Sequence, residues 1–231
     1  AVKLAERVMG FIQERSHQAS SELAQKRGNF PNWEKSTYHD NQIHMRNSTV
    51  TTIAPAGTIS IIAGCSSGIE PVFAISYIRT VMDNTKMVET NPFFEKEAQE
   101  RGFYSDQLME KIAQKGSIQE FEEIPADIKK IYVTSHDIAG EWHVRHQAAF
   151  QKYTDNAVSK TINLPPEASV EEVRNIYLTS HRLKCKGITV YRYGAKQSQV
   201  LSFRTPRRRQ REVISAESEY SGGCVGRLCT F

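Results

Sequence analysis

The sequence predicts an α/β fold with mostly parallel strands, closed or open, and two observations carry that expectation. Short β-branched and aromatic runs alternate with longer stretches of helical apolar spacing. A capping pair, Ser169 and Glu172, opens one such helix, and Lys186-Gly187 ends it just before another apolar run.

In chain order, residues 1 to about 27 place Val2, Ala5, Val8, Met9, Ile12, Ala19 and Leu23 at helical spacing, with Gly28 positioned to stop the helix. The polar, aromatic stretch GNFPNWEKSTYHDNQ reads as an ordered loop feeding a buried strand at Thr49–Ala54. Residues Val72–Met82 suit a second strand. Asn91-Pro92 opens a helix running to Arg101, with Gly102 at its end, and shorter helical patterns follow in 105–115 and 126–133. Over 138–155 a helix is expected to bury a face made of Ile138, Trp142, Ala149, Phe150 and Tyr153. Val158–Leu164 is a strand ending at Pro165-Pro166, the capped helix runs to about Lys184, and Ile188–Tyr191 is a short buried strand. From Gly194 the chain turns polar, so 1–196 is expected as the folded part, and 197–231 as a flexible basic linker with a cysteine-containing tail.

Composition narrows the class. With 39% hydrophobic and 24% charged residues in 231, the chain resembles a water-soluble globular protein, and no apolar run approaches the roughly 20 residues a bilayer span needs. The start, AVKLAERVMGF, has no initiator Met and no signal-peptide pattern, which suggests the interior of a longer polypeptide. The net charge of +4 owes much to Arg204, Arg207, Arg208, Arg209 and Arg211, a cluster too local to imply a nucleic-acid polymer as partner. Four cysteines, Cys65, Cys185, Cys224 and Cys229, are too few and too unevenly spaced for a secreted disulfide framework, so a reducing, cytoplasmic setting is expected.

The segment NSTVTTIAPAGTISIIAGCSSGIEP (47–71) holds the strongest chemical signal. A Pro55-Ala56-Gly57-Thr58-Ile59-Ser60 turn after a strand has side chains small enough for backbone N–H groups to converge on an anion. A helix starting near Thr58 would add unpaired amides, and the hydroxyls of Thr58 and Ser60 further donors. A tight strand-to-helix turn with no ligand fits the same spacing. No Gly-Lys-Ser/Thr follows, so this is not a Walker loop.

MRNSTVTTIAPAGTISIIAGCSSGIEPVFAISYIR, together with QAAFQKYTDNAVSKTINLP (147–165) and LKCKGITVYRYGAK (183–196), closely resembles the C-terminal part of the catalytic barrel of ribonucleotide reductases, in particular the adenosylcobalamin-dependent class. The resemblance implies part of a ten-stranded α/β barrel in an enzyme that removes the ribose 2′-hydroxyl of ribonucleotides. It implies that Ala56, Gly57, Thr58, Ile59 and Ser60 bind the substrate phosphate, and that adenosylcobalamin is the cofactor of the complete enzyme. The family's Asn-x-Cys-x-Glu motif, which carries the thiyl-radical cysteine, does not occur in this sequence, nor does a visible counterpart of its active-site cysteine pair. The chain is therefore expected to need the remaining N-terminal part of the reductase and to be inactive alone. Cys224 and Cys229, in SGGCVGRLCTF, match the family's tail thiols, which pass electrons from thioredoxin or glutaredoxin, and nearby Arg227 would favour a thiolate. Half of a zinc site is the rival reading of that pair.

Other candidates carry blander expectations. Cys65 and Cys185 read as packing residues, and Tyr191 and Tyr193 as barrel packing and active-site lining. His143 and His146, with His136 and Glu141 near, form a conceivable metal pair that lacks further ligands at recognisable spacing. Two other functions remain open: a non-catalytic nucleotide-phosphate-binding module, and the large subunit of a reductase with a separate radical-generating subunit.

Overall fold

A computed structural model describes residues 1–80 and 86–193. In chain order these form helix α1 (Val2–Arg27), a 3-10 turn (Trp33–Lys35), helices α2 (Thr37–Asp40) and α3 (Gly57–Ala63), and strands β1 (Ser76–Thr80) and β2 (Lys86–Thr90). Helices α4 (Pro92–Glu100), α5 (Asp106–Lys115), α6 (Ala126–Ile131) and α7 (Gly140–Gln151) follow, then β3 (Thr161–Leu164), α8 (Val170–Arg182) and β4 (Thr189–Arg192). They gather into two compact units, one made of Ala1–Glu70 with Ala139–Arg192 and the other built on Pro71–Ile138.

In the first unit β3 and β4 pair in parallel, Thr161 opposite Thr189 through Leu164 opposite Arg192, with α8 as the crossover. Val144, Ile162, Leu164, Ala168 and Ile176 form its core, and the half-buried Cys185, Ile188 and Val190 pack on them. The Ser169 hydroxyl accepts from Glu172 N while the Glu172 carboxylate accepts from Ser169 N, so α8 starts with the expected reciprocal cap. Gly28 ends α1 at φ 76°, a left-handed backbone that favours glycine. Of the expected apolar face of α1, Ala5 and Met9 are buried, whereas Val8, Ile12 and Leu23 are exposed.

The expected strand at Thr49–Ala54 reduces to an extended segment with one parallel bridge, Ile53 to Val158. The reason lies in its donors. Val50 N and Thr51 N give their hydrogens to Asp155 Oδ2, at 2.8 and 3.3 Å, so a carboxylate replaces a neighbouring strand. Asp155 Oδ1 also meets His17 Nε2 at 2.9 Å and accepts from Gln13 Nε2 at 3.3 Å, which ties α1 to the same point.

Helix α7 also differs from expectation. Trp142 is 57% exposed, and the buried face carries His143, Gln147 and Gln151, four residues apart, beside Val144 and Ala149. The amides serve backbone that has no ladder partner. Gln147 Nε2 donates to Val158 O and Gly187 O, at 3.3 and 2.7 Å. Gln151 Nε2 donates to Thr154 O and Asn156 O, and its Oε1 accepts from Lys186 N. Polar side chains face inward here because the entries to β3 and β4 would otherwise bury unpaired carbonyls.

In the second unit the predicted Val72–Met82 strand is shorter, Ser76–Thr80, and it pairs antiparallel with β2 rather than in a parallel sheet. Only five residues separate the two strands, too few for the crossover a parallel pair requires. Ile75, Phe94, Leu108, Met109, Ile112, Ile118, Ile124 and Ile128 form this unit's core. The helices at 92–100, 106–115 and 126–131 lie where the sequence places them. The Asn91 side chain caps the first, and Ser105 and left-handed Gly116 bound the second.

The Asp155 carboxyl should dominate the acid sensitivity of the first unit. Burial disfavours its charge, but the Val50 amide, His17 and Gln13 outweigh that and hold it below the ordinary aspartate value. A depressed carboxyl contributes stability that is present above its unfolded pKa and lost as the pH falls through the folded one. Asp155→Asn should therefore cost about 1–3 kcal/mol near neutral pH in urea unfolding. The gap to the parent should close on acidification, and a gap independent of pH would contradict this assignment.

Candidate functional site

The Pro55–Ser60 turn leaves the Ile53 bridge and enters α3 at Gly57. Ser60 N donates to Ala56 O at 3.0 Å, and Ser60 Oγ donates to Gly57 O at 2.7 Å. Ser60 is buried, so in this arrangement its hydroxyl proton fastens the turn rather than facing outward. Among the described residues no acceptor meets the amides of Gly57 and Ile59, which belong to the first turn of α3, where no intrahelical acceptor exists. A Cβ added at Gly57 would meet nothing within 4 Å, so open space adjoins the turn.

A cavity of about 340 Å³ lies beside the approach to this turn. Its walls are Thr52–Pro55, Ala157–Lys160 and Gly187–Thr189, the entries to the turn, β3 and β4. A wider depression of about 540 Å³, lined by Phe30, Asn32, Lys35, Ser36, Thr37, Tyr38 and Ser48, includes no part of the turn.

The chain following α3 returns to β3. Glu70 Oε2 accepts from Lys160 Nζ at 2.6 Å, and Glu70 Oε1 accepts from Thr161 N at 2.5 Å. The Lys160 side chain is 1% exposed. Burial pushes its ammonium below the usual lysine value, while Glu70 opposes that shift. His146, half-buried nearby, is lowered by burial and by the Lys160 charge.

Of the remaining predicted positions, Cys65 is exposed, which corrects its reading as a packing residue. It follows α3 in the loop through Gly64, whose φ is 60°, and Cys65 N donates to Ser60 O. Cys185 does pack against the core, and burial raises its thiol although Ser180 hydrogen-bonds to it. Tyr191 is half-buried on β4 opposite Asn163, and Tyr193 meets the His136 ring edge-on at 5.7 Å. Among the described residues no group of three His, Cys, Asp or Glu side chains is arranged to hold a metal ion. No described helix is long and apolar enough to cross a membrane. Cys224 and Cys229 lie outside the described residues.

Asp155, Glu70, Lys160, Gln147 and Gln151 were not legible as site-building residues. The one available signal was the four-residue spacing of Gln147, Gln151 and Asp155, a polar line along the helix expected over 138–155.

Residues 1–191 match the family model described as the ribonucleotide reductase barrel domain. A vitamin B12-dependent ribonucleoside-diphosphate reductase of Mycobacterium tuberculosis is 46% identical over 231 residues, which is 100% of this chain and 32% of that protein. A protein of the same description from Thermoplasma acidophilum is 48% identical over 217 residues, covering 93% of this chain and 28% of its own length. Among solved structures, the Actinobacillus ureae class Id ribonucleotide reductase alpha subunit superposes with a TM-score of 0.70 at 27% identity, over 84% of this chain and 34% of that one. The chain thus spans about a third of the length of these relatives.

Proposed function

Since the chain belongs to the ribonucleotide reductase family and matches its barrel domain, we propose that it forms the substrate-phosphate-binding part of a vitamin B12-dependent ribonucleoside-diphosphate reductase. The observation that carries this reading is the pair of unclaimed amides at Gly57 and Ile59, next to open space. Identities of 46% and 48% to proteins described as vitamin B12-dependent favour this class over the two-subunit kind suggested by the alpha-subunit neighbour at 27%.

On this reading the Ala56–Ser60 turn offers backbone donors to the nucleotide's phosphate, and the cavity beside it receives the adjoining part of the substrate. Neutral amides held by the fold bind an anion without reorganising, so the ribose is fixed where the reaction needs it. In the complete enzyme adenosylcobalamin would supply the initiating radical. Cys224 and Cys229 act as a dithiol. Their thiolates reduce the active-site disulfide by exchange, become a disulfide themselves, and are reduced again by thioredoxin or glutaredoxin.

Three measurements on the complete reductase test these roles. Gly57→Val adds bulk in open space, so it should preserve folding and weaken ribonucleotide binding by about tenfold or more, a loss of roughly 1.4 kcal/mol. Unchanged affinity by calorimetry would remove the phosphate account. Replacing both Cys224 and Cys229 with Ser should abolish turnover driven by thioredoxin and spare turnover driven by dithiothreitol, whereas equal loss with both reductants would contradict the relay. Turnover should require added adenosylcobalamin, and full activity in its absence would move the protein to another reductase class.

A further inference from the structure

The segment from Ile53 to Glu70 leaves and rejoins one short stretch of chain. At its entry Ile53 bridges to Val158, with Ser159 N donating to Ile53 O at 2.7 Å. At its exit the Glu70 carboxylate takes Thr161 N and Lys160 Nζ, and Lys160 Nζ also donates to the Thr161 carbonyl. Both attachments therefore fall within residues 157–161, with the phosphate turn and α3 hanging between them.

Little else among the described contacts holds this loop. Among the described residues, the hydrogen bonds of 54–69 run within the segment itself: Ser60 to Ala56 and Gly57, Cys65 to Ser60, and Glu70 N to Ser67 O. Of the segment's side chains whose burial is described, most are exposed and Ser60 is buried. Closing a loop of this length constrains its interior only as firmly as its two ends are fixed. The entry is fixed by backbone pairing, whereas the exit depends on side chains.

The exit has unusual chemistry for a loop. Lys160 is 1% exposed and Glu70 25% exposed, so the ammonium is almost wholly removed from water and relies on the carboxylate as its counter-charge. Glu70 accepts the Thr161 amide with its second oxygen, which fixes the carboxylate's orientation as well as its position.

We propose that Glu70 and Lys160 form a clasp that sets the position of the substrate-phosphate turn relative to β3, making them positioning residues for nucleotide binding. This rests on the phosphate reading of the turn. The clasp touches no substrate and acts through the loop it closes. Without it, the turn remains able to bind an anion but holds it at a displaced point, and a displacement of about 1 Å lowers the rate by about a hundredfold.

The test uses the complete reductase with Lys160→Met, Glu70→Gln and the double variant. Each single substitution should lower kcat/KM for the ribonucleotide by between about tenfold and a hundredfold. The double variant leaves no buried charge uncompensated, so it should regain the parent's unfolding midpoint without regaining kcat/KM. Recovery of both together would mean that the pair serves stability alone and would overturn the proposal, as would single variants with native kinetics. Should the double variant not fold, amide exchange in nucleotide-free Lys160→Met decides. Faster exchange over 55–63 with α8 still protected supports the clasp, and unchanged exchange over 55–63 rejects it. If Gly57→Val abolishes nucleotide binding while the clasp variants behave as the parent, the clasp falls and the phosphate site stands. If Gly57→Val has no effect, the phosphate site falls first.

Discussion

Backbone donors and acceptors that leave water must find partners, and in the first unit much of that demand is met by side chains instead of neighbouring strands. Asp155 takes the amides of Val50 and Thr51, Gln147 and Gln151 donate to carbonyls near the starts of β3 and β4, and Glu70 takes the Thr161 amide. These contacts bring three extended segments side by side although regular pairing covers only β3 and β4 and a single bridge. The cavity beside the turn is walled by those same three segments. Its geometry is therefore a consequence of how the segments are satisfied.

The same principle, inverted, underlies the proposed function. At Gly57 and Ile59 the fold leaves amides without described partners at a surface facing open space. Such exposed donors at the start of a helix are well suited to an anion. On the proposed reading a nucleotide's phosphate would supply the missing acceptors, so the economy of hydrogen bonds that shapes the unit would also define what it binds. Ser60 illustrates the division: its hydroxyl is directed inward to Gly57 O and holds the turn's shape, which on the proposed reading leaves recognition to the main chain.

What the sequence revealed follows from range. Asn91-Pro92, Ser169 with Glu172, and Gly28 act within a few residues, and each lies where the sequence implies. The turn at 55–60 was legible for the same reason, since small residues declare an accessible backbone. The contact between Glu70 and Lys160 spans 90 positions and has no local signature. The apolar face expected for 138–155 failed because the partners of Gln147 and Gln151 are distant carbonyls, which turn polar residues inward and leave Trp142 outside. Strand β2 is not legible because KMVET carries two charged residues, Lys86 and Glu89, in five and gains its described pairing from β1. The small neighbours of Cys65 suggest packing, yet those neighbours form an exposed loop.

The account is tested most directly by determining the structure of the complete reductase with a ribonucleoside diphosphate bound. It predicts phosphate oxygens about 3 Å from the amide nitrogens of the Gly57–Ile59 turn, with Glu70 still seated on Lys160 and Thr161. A phosphate bound elsewhere, with those amides turned to solvent, would contradict it.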